Sequence, residues 1–414
     1  MDAHARGRER PIRVLVVDDS AFMRHTLGRL LGESEGLEVV GSAADGEQGL
    51  RAAATLRPDV ITLDVEMPVL DGLAMLRRLM DEAPTRVVMV SSLTAEGARV
   101  TLDALEAGAV DFIAKPSGSL SIDMARVRDD LVARIRAAAA IPEAAFLAHR
   151  LSARSARSAR GTPPGGTITG GPGTRDGQRG RAGEEPALAR LVRPPVGSEE
   201  AVPGARAVPR TSIPRPLVAA AGAAVQASRL VVIASSTGGP NALHVLAHGL
   251  PLRLGAAVLV VQHMPPHFTA SLAQRLDAVC PLPVAEAAPG DVLAEDRILL
   301  APGGVHTVPS PRGRIQLAAL PPVNGLRPAA DVTLQALAPS WRDRMLLVVL
   351  TGMGSDARDG GQSVRAHGGT IYAQDAASSV VFGMPGSIVA AGLADRVLPL
   401  DRMADAIADW AARG

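Results

Sequence analysis

The feature that most constrains the fold of this chain is a repeated alternation between short apolar, β-branched runs and longer stretches with helical periodicity. Between Pro11 and Ala140, five apolar runs are each followed by a helical stretch. At Arg229 the alternation resumes with four further apolar runs. Alternation of this kind is typical of βα units around a parallel sheet, so the sequence predicts two separate α/β domains.

The first domain, residues 11–140, is predicted to have five strands: Ile12–Val17, Glu38–Ser42, Asp59–Leu63, Arg86–Ser91 and Ala109–Ala114. The predicted helices are Ser20–Glu33, Gly46–Leu56, Gly72–Glu82, Glu96–Ala107 and Ser121–Ala140. Five units in this order predict a flavodoxin-like, doubly wound sheet. In the second domain, residues 228–414, the predicted strands are Leu230–Ser235, Ala257–Gln262, Arg297–Ala301 and Met345–Thr351. They predict a second doubly wound, mainly parallel α/β domain.

The intervening residues 141–227 are predicted to form a flexible linker. Leu151–Arg160 repeats Ser-Ala-Arg, and Gly161–Gly183 consists mostly of Gly, Pro, Thr and Arg. Such a composition has too few large apolar side chains to form a core. Its arginines are compatible with nucleic acid or an acidic partner, but glycine dilutes the charge and 151–183 holds no aromatic residue. A solvated Arg/Gly/Pro-rich linker is therefore the favoured interpretation.

Composition limits the possible partners and the compartment. The 43 basic and 42 acidic residues give a formal net charge of +1, so no global field attracts nucleic acid or an anionic membrane. The single cysteine, Cys280, excludes an internal disulfide and fits a reducing compartment. Residues 1–17 lack the apolar core of a signal peptide, and no run approaches the roughly 20 apolar residues of a membrane span. The sequence therefore predicts a cytoplasmic protein without nucleic-acid partners.

Charged and hydroxyl side chains follow four predicted strands of the first domain. Asp18-Asp19, Asp64, Ser91 and Lys115 come at the strand ends, where ligands bind in an open parallel sheet. Lys115 is the only lysine among the 43 basic residues. Lysine presents a compact charge on a flexible stem, so this one is predicted to contact a small anion.

Three carboxylates at one sheet edge repel one another unless a hard cation lies between them, and Mg²⁺ suits such oxygen ligands. Asp64 is then the candidate nucleophile that attacks a phosphoryl donor. Lys115 would offset the phosphoryl charge, and the Ser91 hydroxyl would bond a phosphoryl oxygen. Each residue alone is equally compatible with an ordinary polar loop position; the ordered set is what favours the phosphoacceptor interpretation.

With these residues, 11–140 resembles the two-component receiver family. The resemblance implies that Asp18 and Asp19 hold Mg²⁺ with Asp64, and that Asp64 is phosphorylated by a sensor histidine kinase. It also implies that Ser91 and Phe112 form the switch pair and that Lys115 contacts the phosphoryl group.

The second domain opens with Leu230-Val-Val-Ile-Ala-Ser-Ser-Thr-Gly-Gly-Pro240, a strand that leads into a turn and a helix start. Such a turn can present Ser236 beside outward-facing N–H groups that favour an oxyanion. A structural or phosphate-binding glycine turn is an equal alternative at this stage. The sequence lacks the Gly-Lys-Ser/Thr of a P-loop, and the turn lacks G-x-G-x-x-G.

A hydrolytic serine needs a base and a residue that orients this base. His263 directly follows a predicted strand, and Asp356 follows the Gly-rich turn after another. Together with Ser236 they predict a triad at one sheet edge. His267 is a weaker alternative base, whereas His306 lies in a predicted loop. His244 and His248 lie four residues apart on a predicted helix, and a surface position is favoured over a metal site.

Three motifs then resemble the catalytic domain of the chemotaxis protein-glutamate methylesterases: Ala-Ser-Ser-Thr-Gly-Gly-Pro, Val-Gln-His-Met-Pro and Leu-Thr-Gly-Met-Gly-Ser-Asp. The resemblance covers about residues 229–410. It implies that Ser236 attacks glutamyl methyl esters of chemoreceptors, that His263 transfers the proton and that Asp356 holds the imidazole. It also implies an oxyanion hole from the backbone of Thr237 and Met353, no cofactor in this domain, and deamidation of receptor glutamines by the same chemistry.

Two positions depart from the family pattern. Ala234-Ser235 stands where Gly-Ala is usual, which makes Ser235 a rival nucleophile. Ala357 follows Asp356 where glycine is common, and Asp359 is the weaker alternative for the third triad member.

The resemblance also implies that methylated chemoreceptors are the substrate, so the protein would be peripheral to membrane receptor arrays.

Two other classes of function stay open from the sequence. One is a non-enzymatic output module, in which the Thr-Gly-Gly-Pro turn binds an anionic group of a partner. The other is a DNA-binding regulator, which is disfavoured because the second domain has no helix-turn-helix pattern and little basic clustering.

Overall fold

The computed structural model describes residues 10–115, 123–143, 145–147 and 227–413. Within these ranges the protein contains two parallel sheets flanked by helices and one small antiparallel hairpin. None of the helices described is both long and apolar enough to cross a lipid bilayer.

The N-terminal sheet has five parallel strands in the order β2-β1-β3-β4-β5. The strands are β1 Ile12–Val17, β2 Leu37–Ala43, β3 Val60–Asp64, β4 Arg86–Ser91 and β5 Asp111–Ala114. The helices are α1 Ala21–Gly32, α2 Gly46–Leu56, α3 Gly72–Glu82, α4 Ala95–Glu106 and α5 Asp123–Ala139. This order confirms the predicted flavodoxin-like topology, and it places the ends of β1, β3, β4 and β5 at one edge.

Local sequence explains where these helices begin. The side chains of Ser20, Asp45, Asp71 and Thr94 each accept a hydrogen bond from the third residue that follows, which caps helices α1 to α4. A Cβ at Gly72 would lie 1.9 Å from the Asp64 carbonyl oxygen. Only glycine therefore lets the start of α3 close over the end of β3, where Asp64 lies.

The first packed domain extends beyond the predicted boundary at Ala140. Ile141 and Phe146 are 3% and 1% exposed, and the Arg86 guanidinium lies 5.1 Å from the centre of the Phe146 ring. Arg86 Nη2 also donates to the Ile141 carbonyl at 2.8 Å. The chain is therefore still packed against this domain at Phe146, the sixth residue of the segment predicted as linker. Residue 144 and residues 148–226 of that segment lie outside the described ranges.

The C-terminal sheet has seven parallel strands in the order β14-β13-β12-β6-β7-β9-β8. They are β6 Leu230–Ser235, β7 Ala257–Gln262, β8 Val284–Glu286, β9 Ile298–Leu300, β12 Met345–Val349, β13 Thr370–Gln374 and β14 Arg396–Leu398. The antiparallel hairpin is β10 His306–Thr307 with β11 Leu317–Ala318. The helices are α6 Gly239–Gly249, α7 Phe268–Asp277, α8 Ala330–Trp341, α9 Arg358–Ala366, α10 Met384–Ala390 and α11 Leu400–Ala411.

Strand β6 lies at the point where the order of connection reverses, with β7 on one side and β12 on the other. Ligands of open α/β sheets bind beyond the strand ends at such a point. The strand predicted for Met345–Thr351 ends earlier because the Thr351 N–H leaves the sheet ladder and donates to Gln374 Oε1 at 2.8 Å. Thr351 and the residues after it are thereby free to form a loop beside β6.

Candidate active site and phosphoacceptor pocket

The acidic pocket of the N-terminal domain brings together four of the five residues predicted to meet there. Oxygen atoms of Asp18, Asp19 and Asp64 all lie within 4.8 Å of one another. Lys115 Nζ lies 2.7 Å from Asp64 Oδ2 and 3.2 Å from Asp18 Oδ2. Asp18 and Asp64 are buried, whereas Asp19 is exposed. One side of the cluster therefore opens to solvent.

Burial governs the electrostatics of this pocket. It raises the pKa of Asp64 to about 6, and the charge of Asp18 acts in the same direction against the hydrogen bond from Lys115. Burial alone would lower the pKa of Lys115, but its contacts with Asp64 and Asp18 raise it above the ordinary value. One ammonium thus only partly offsets the clustered carboxylates.

The donor set of this pocket fits Mg²⁺. Three carboxylates supply the hard oxygen ligands that this ion prefers, and the exposed side leaves room for water and a phosphoryl oxygen. The raised pKa of Asp64 also fits a cation site. Burial disfavours the ionised carboxylate, and a bound cation would stabilise it.

The two predicted switch residues are buried beside this pocket. Ser91 is fully buried, and its hydroxyl lies 3.3 Å from the Gly97 carbonyl oxygen and 3.4 Å from that of Ser92. Phe112 is the second residue of β5. Its ring stacks on Phe268 of α7, with ring centroids 4.6 Å apart and planes 9° from parallel. The Phe112 ring therefore connects strand β5 of the N-terminal domain to the C-terminal domain.

The second candidate site lies at the carboxyl end of β6. The Ser236 N–H donates to the Thr351 carbonyl at 3.1 Å, and the Ser236 carbonyl accepts from Gly239 N–H at 2.7 Å. A Cβ at Gly352 would lie 2.8 Å from Ser236 Cβ, so only glycine allows this approach. Gly238, with φ of 76°, then turns the chain into α6. The predicted strand, turn and helix around Ser236 are all present.

The two adjacent serines have different surroundings. The Ser235 hydroxyl is fully buried and donates to Gln262 Oε1 at 2.7 Å. Ser236 is 9% exposed, and within the described chain no hydrogen bond of its hydroxyl is found. The Gln262 amide also donates to the Ser236 carbonyl at 3.0 Å, so the glutamine holds both backbone and rival serine in place. These contacts favour Ser236 over Ser235 as the accessible nucleophile.

His263 and Asp356 form a buried pair. His263 Nε2 donates to Asp356 Oδ2 at 2.6 Å, and their side chains are 4% and 2% exposed. His263 Nδ1 is buried and has no hydrogen-bond partner among the residues described. The rivals are placed differently: His267 is exposed before α7, and Asp359 is exposed beside Arg358. Nδ1 is thus the ring nitrogen left to receive a proton.

Three N–H groups converge on the Asp356 carboxylate. In addition to His263, the backbone of Ala330 donates to Oδ2 at 2.6 Å and the backbone of Asp331 donates to Oδ1 at 3.0 Å. Burial alone would raise the pKa of Asp356, but the hydrogen bond and charge of His263 and the two backbone bonds lower it to about 2. Asp356 is therefore a stable anion next to the imidazole.

Two buried titratable residues near this pair were given no role from the sequence. Asp331 lies 6% exposed in the first turn of α8, and its Oδ1 accepts from Gly360 N–H at 2.6 Å. Acidic residues are common at helix starts, so no signal distinguished this one. His306 was predicted in a loop but begins β10, fully buried, where its Nδ1 accepts from Ala329 N–H at 3.3 Å.

The predicted oxyanion residues lie on two loops near Ser236. Thr237 is buried, and its carbonyl accepts from the Thr351 hydroxyl at 3.0 Å. Met353 is half-buried and lines a cavity of about 610 Å³ that also borders Phe112. The histidines of the other predicted alternative, His244 and His248, lie on α6, and the described residues contain no metal-binding cluster there.

Residues of the N-terminal domain contact the loops around Ser236. The Thr237 hydroxyl donates to Asp111 Oδ2 at 2.5 Å, and Arg134 Nη1 donates to the same oxygen at 2.8 Å. On α7, Arg275 contacts Asp103 at 2.7 Å and Glu106 at 3.0 Å of helix α4. The first domain is thus bonded to the residue that follows the candidate nucleophile.

Comparison with known proteins covers both domains. The family model described as CheB methylesterase matches residues 231–407, and the response regulator receiver domain model matches residues 14–125. A protein-glutamate methylesterase/protein-glutamine glutaminase of Symbiobacterium thermophilum is 46% identical over 400 residues, which are 96% of this chain and 97% of that protein. Relatives with the same name from Geobacillus kaustophilus and Thermotoga maritima are 39% and 38% identical, over 96% and 94% of this chain and 97% and 96% of theirs.

Proposed function

This chain belongs to the protein-glutamate methylesterase/protein-glutamine glutaminase family, and we propose that it is a phosphorylation-activated hydrolase of chemoreceptors. It removes methyl esters from glutamyl side chains, releases methanol, and deamidates receptor glutamines by the same route. The reaction resets receptor signalling during adaptation in chemotaxis. We place the protein in the cytoplasm because the methylated part of a chemoreceptor faces the cytoplasm.

In the proposed reaction Ser236 Oγ attacks the ester carbonyl carbon, and His263 Nδ1 takes the hydroxyl proton. Backbone N–H groups of Thr237 and Met353 stabilise the tetrahedral oxyanion. The imidazolium returns the proton to the departing methoxide, which leaves as methanol. Water then attacks the acyl-enzyme with His263 again as base, and the product is a free glutamate side chain.

The observation that carries this proposal is the buried His263–Asp356 pair. The 2.6 Å bond from Nε2 to a carboxylate that three N–H groups keep ionised fixes both the tautomer and the plane of the ring. An ionised partner also stabilises the imidazolium that forms during the reaction. Nδ1, without a partner in the described structure, is then the basic nitrogen.

In the proposed regulation a sensor histidine kinase donates a phosphoryl group to Asp64. Asp18, Asp19 and Asp64 would hold Mg²⁺, and the bound ion would offset the charge of the transferring phosphoryl oxygens. Lys115 pairs with the phosphoryl group, and the Ser91 hydroxyl turns toward it. Phe112 moves with Ser91 as the switch pair.

Contacts between the domains support inhibition in the unphosphorylated state. Asp111 is bonded to Thr237, the residue after the proposed nucleophile, and it directly precedes Phe112 in the chain. A shift of Phe112 would therefore disturb both its stack on Phe268 and the Asp111 bond. We assign residues 11–140 to the receiver and 228–414 to the methylesterase domain. Residues 141–227 connect the two, and Ile141 and Phe146 at the start of this segment pack against the receiver.

Methanol release from receptor membranes carrying radioactive methyl esters tests the proposal. The full chain is expected to release methanol, and faster with acetyl phosphate and Mg²⁺ than without. Ser236→Ala should lower turnover by at least about three orders of magnitude, while Ser235→Ala retains activity. Retained turnover in Ser236→Ala would refute this nucleophile. Absence of methanol release from the wild-type chain would favour the non-enzymatic output module.

A further inference from the structure

Two buried carboxyl groups lie behind His263, although a triad uses only one. Asp356 and Asp331 are 4% and 6% exposed, and the backbone N–H of Asp331 donates directly to Asp356 Oδ1 at 3.0 Å. Two ionised carboxylates in one buried site repel each other strongly unless a cation lies between them. Among the residues described, no Lys or Arg lies within 4.0 Å of either group.

We propose that Asp331 is a positioning residue that acts as a neutral carboxylic acid and donates its proton to Asp356, so that Asp356 is the single negative charge facing His263 while Asp331 is protonated. This inference rests on the proposed function, because it assigns a role to Asp331 through the triad. It adds a fourth member to the chain of hydrogen bonds that orients the base.

The distribution of hydrogen-bond donors decides which carboxyl carries the proton. Asp356 accepts from three N–H groups, those of His263, Ala330 and Asp331. Asp331 accepts from one, the N–H of Gly360. Each N–H donor favours the ionised form of its acceptor, so the charge belongs on Asp356 and the proton on Asp331.

The other titratable groups around Asp331 are compatible with this assignment. Asp359 of α9 adds further negative charge and is itself paired with Arg358 on the exposed side. His306 of β10 accepts from Ala329 N–H through Nδ1, and its Nε2 lies 3.1 Å from the Pro321 carbonyl, so both ring nitrogens are engaged away from the two carboxyl groups. Burial, together with the charges of Asp356 and Asp359, raises the pKa of Asp331 to about 7 despite the Gly360 bond.

The backbone around Asp331 leaves little room for relaxation. A Cβ at Gly360 would lie 2.6 Å from Leu334 Cβ and 3.1 Å from Asp331 Cα, so helices α8 and α9 are in direct contact there. If Asp331 loses its proton, the new charge cannot move away from Asp356. It then replaces a hydrogen bond by a repulsion next to the carboxylate that orients His263, which lowers activity as pH increases.

The pH dependence of kcat/KM for methanol release tests this role in the full chain. Asp331→Asn supplies an N–H donor without a titratable proton, whereas Asp331→Ala supplies neither. At pH 6 the kcat/KM of the Asn variant should be less than about tenfold below that of wild type. The kcat/KM of the Ala variant should be at least about tenfold lower than that of the Asn variant. Between pH 6 and 8 the Asn-to-wild-type ratio should rise at least about threefold. Asp359→Asn, which removes a nearby exposed carboxylate, is the matched control. Its ratio of kcat/KM to that of wild type should not rise between pH 6 and 8.

Thermal unfolding of the same variants tests the proton without any reaction. A carboxyl whose pKa is raised on folding stabilises the protein below its unfolded pKa, and this contribution is lost as pH rises toward the folded pKa. From pH 4 to 7 the wild type should therefore lose about 2 °C or more in Tm relative to Asp331→Asn. A constant Tm difference and a flat activity ratio would overturn the proposal. A changing Tm difference without methanol release would keep the proton on Asp331 and refute the proposed function instead.

Discussion

The two domains bury acidic groups in opposite ways. In the receiver pocket Asp18 and Asp64 face Lys115 and an open side that suits a metal ion, and burial raises the pKa of Asp64 to about 6. In the hydrolase site Asp356 is enclosed by three N–H donors, and its pKa is lowered to about 2. The ionised form of Asp64 therefore needs added positive charge, whereas that of Asp356 is already stabilised by N–H donors of the protein.

This difference fits the two kinds of chemistry proposed for the two sites. A phosphoacceptor must change charge and partners during a signalling cycle, so a pocket that depends on added cations can act as a switch. The acid of a triad must keep one charge and one geometry throughout turnover, which fixed backbone N–H groups provide. Substitutions at Asp356, Asp64 and Arg275 would remove the charge, the switch and the link between the domains in turn.

The largest effect is expected from Asp356→Asn. The amide cannot stabilise an imidazolium and holds the wrong tautomer of His263, so kcat should fall by about 10³- to 10⁴-fold. Methanol release under saturating substrate measures the change. Asp359→Asn is the matched control, since Asp359 is exposed and paired with Arg358, and it should stay within about twofold of wild type. A comparable loss in both variants would contradict the assignment of Asp356.

A smaller effect is expected from Asp64→Asn. This variant cannot form the acyl phosphate, so stimulation by acetyl phosphate, expected at about 5- to 150-fold for a coupling of 1–3 kcal/mol, should vanish. Activity without the phosphodonor should persist, because Asp64 lies outside the hydrolase site. Removal of Mg²⁺ by EDTA should abolish stimulation of the wild type in the same way. Stimulation that survives either change would separate activation from this pocket.

The smallest effect is expected at the link between the domains. Arg275→Glu places a negative charge against Asp103 and Glu106, which should weaken docking of the receiver. Methanol release without a phosphodonor should rise about 3- to 10-fold and should not exceed that of the phosphorylated wild type. Arg253→Glu, an equal charge change at an exposed arginine, is the control. Equal activity of both variants and wild type would show that this ion pair does not inhibit.

Much of the fold was predictable because parallel strands buried on both faces have continuous apolar sequences. Strand β1 at Ile12–Val17 and strand β6 at Leu230–Ser235 were predicted with the observed bounds. The three-residue strands β8 and β14 were missed, since so few residues show no periodicity and β14 is largely exposed. The packed residues Ile141 and Phe146 were missed because their partner, Arg86, is distant in sequence.

The candidate site was predictable where a residue follows a strong strand, as Asp64, Ser236 and His263 do. Asp331 and Asp111 could not be found this way. Asp331 owes its setting to Asp356 and Gly360, which lie 25 and 29 residues away in the chain. The partner of Asp111, Thr237, is 126 residues away and in the other domain. Long-range hydrogen bonds of this kind leave no local pattern.

Covalent labelling of the full chain by a serine-directed fluorophosphonate tests the central claim most directly, because it reports the nucleophile and its regulation together. Peptide mass spectrometry should find the adduct on Ser236, and acetyl phosphate with Mg²⁺ should accelerate its formation in wild type but not in Asp64→Asn. An adduct on Ser235 or on a residue outside this turn, or a rate that ignores phosphorylation, would contradict a triad at Ser236 controlled from Asp64.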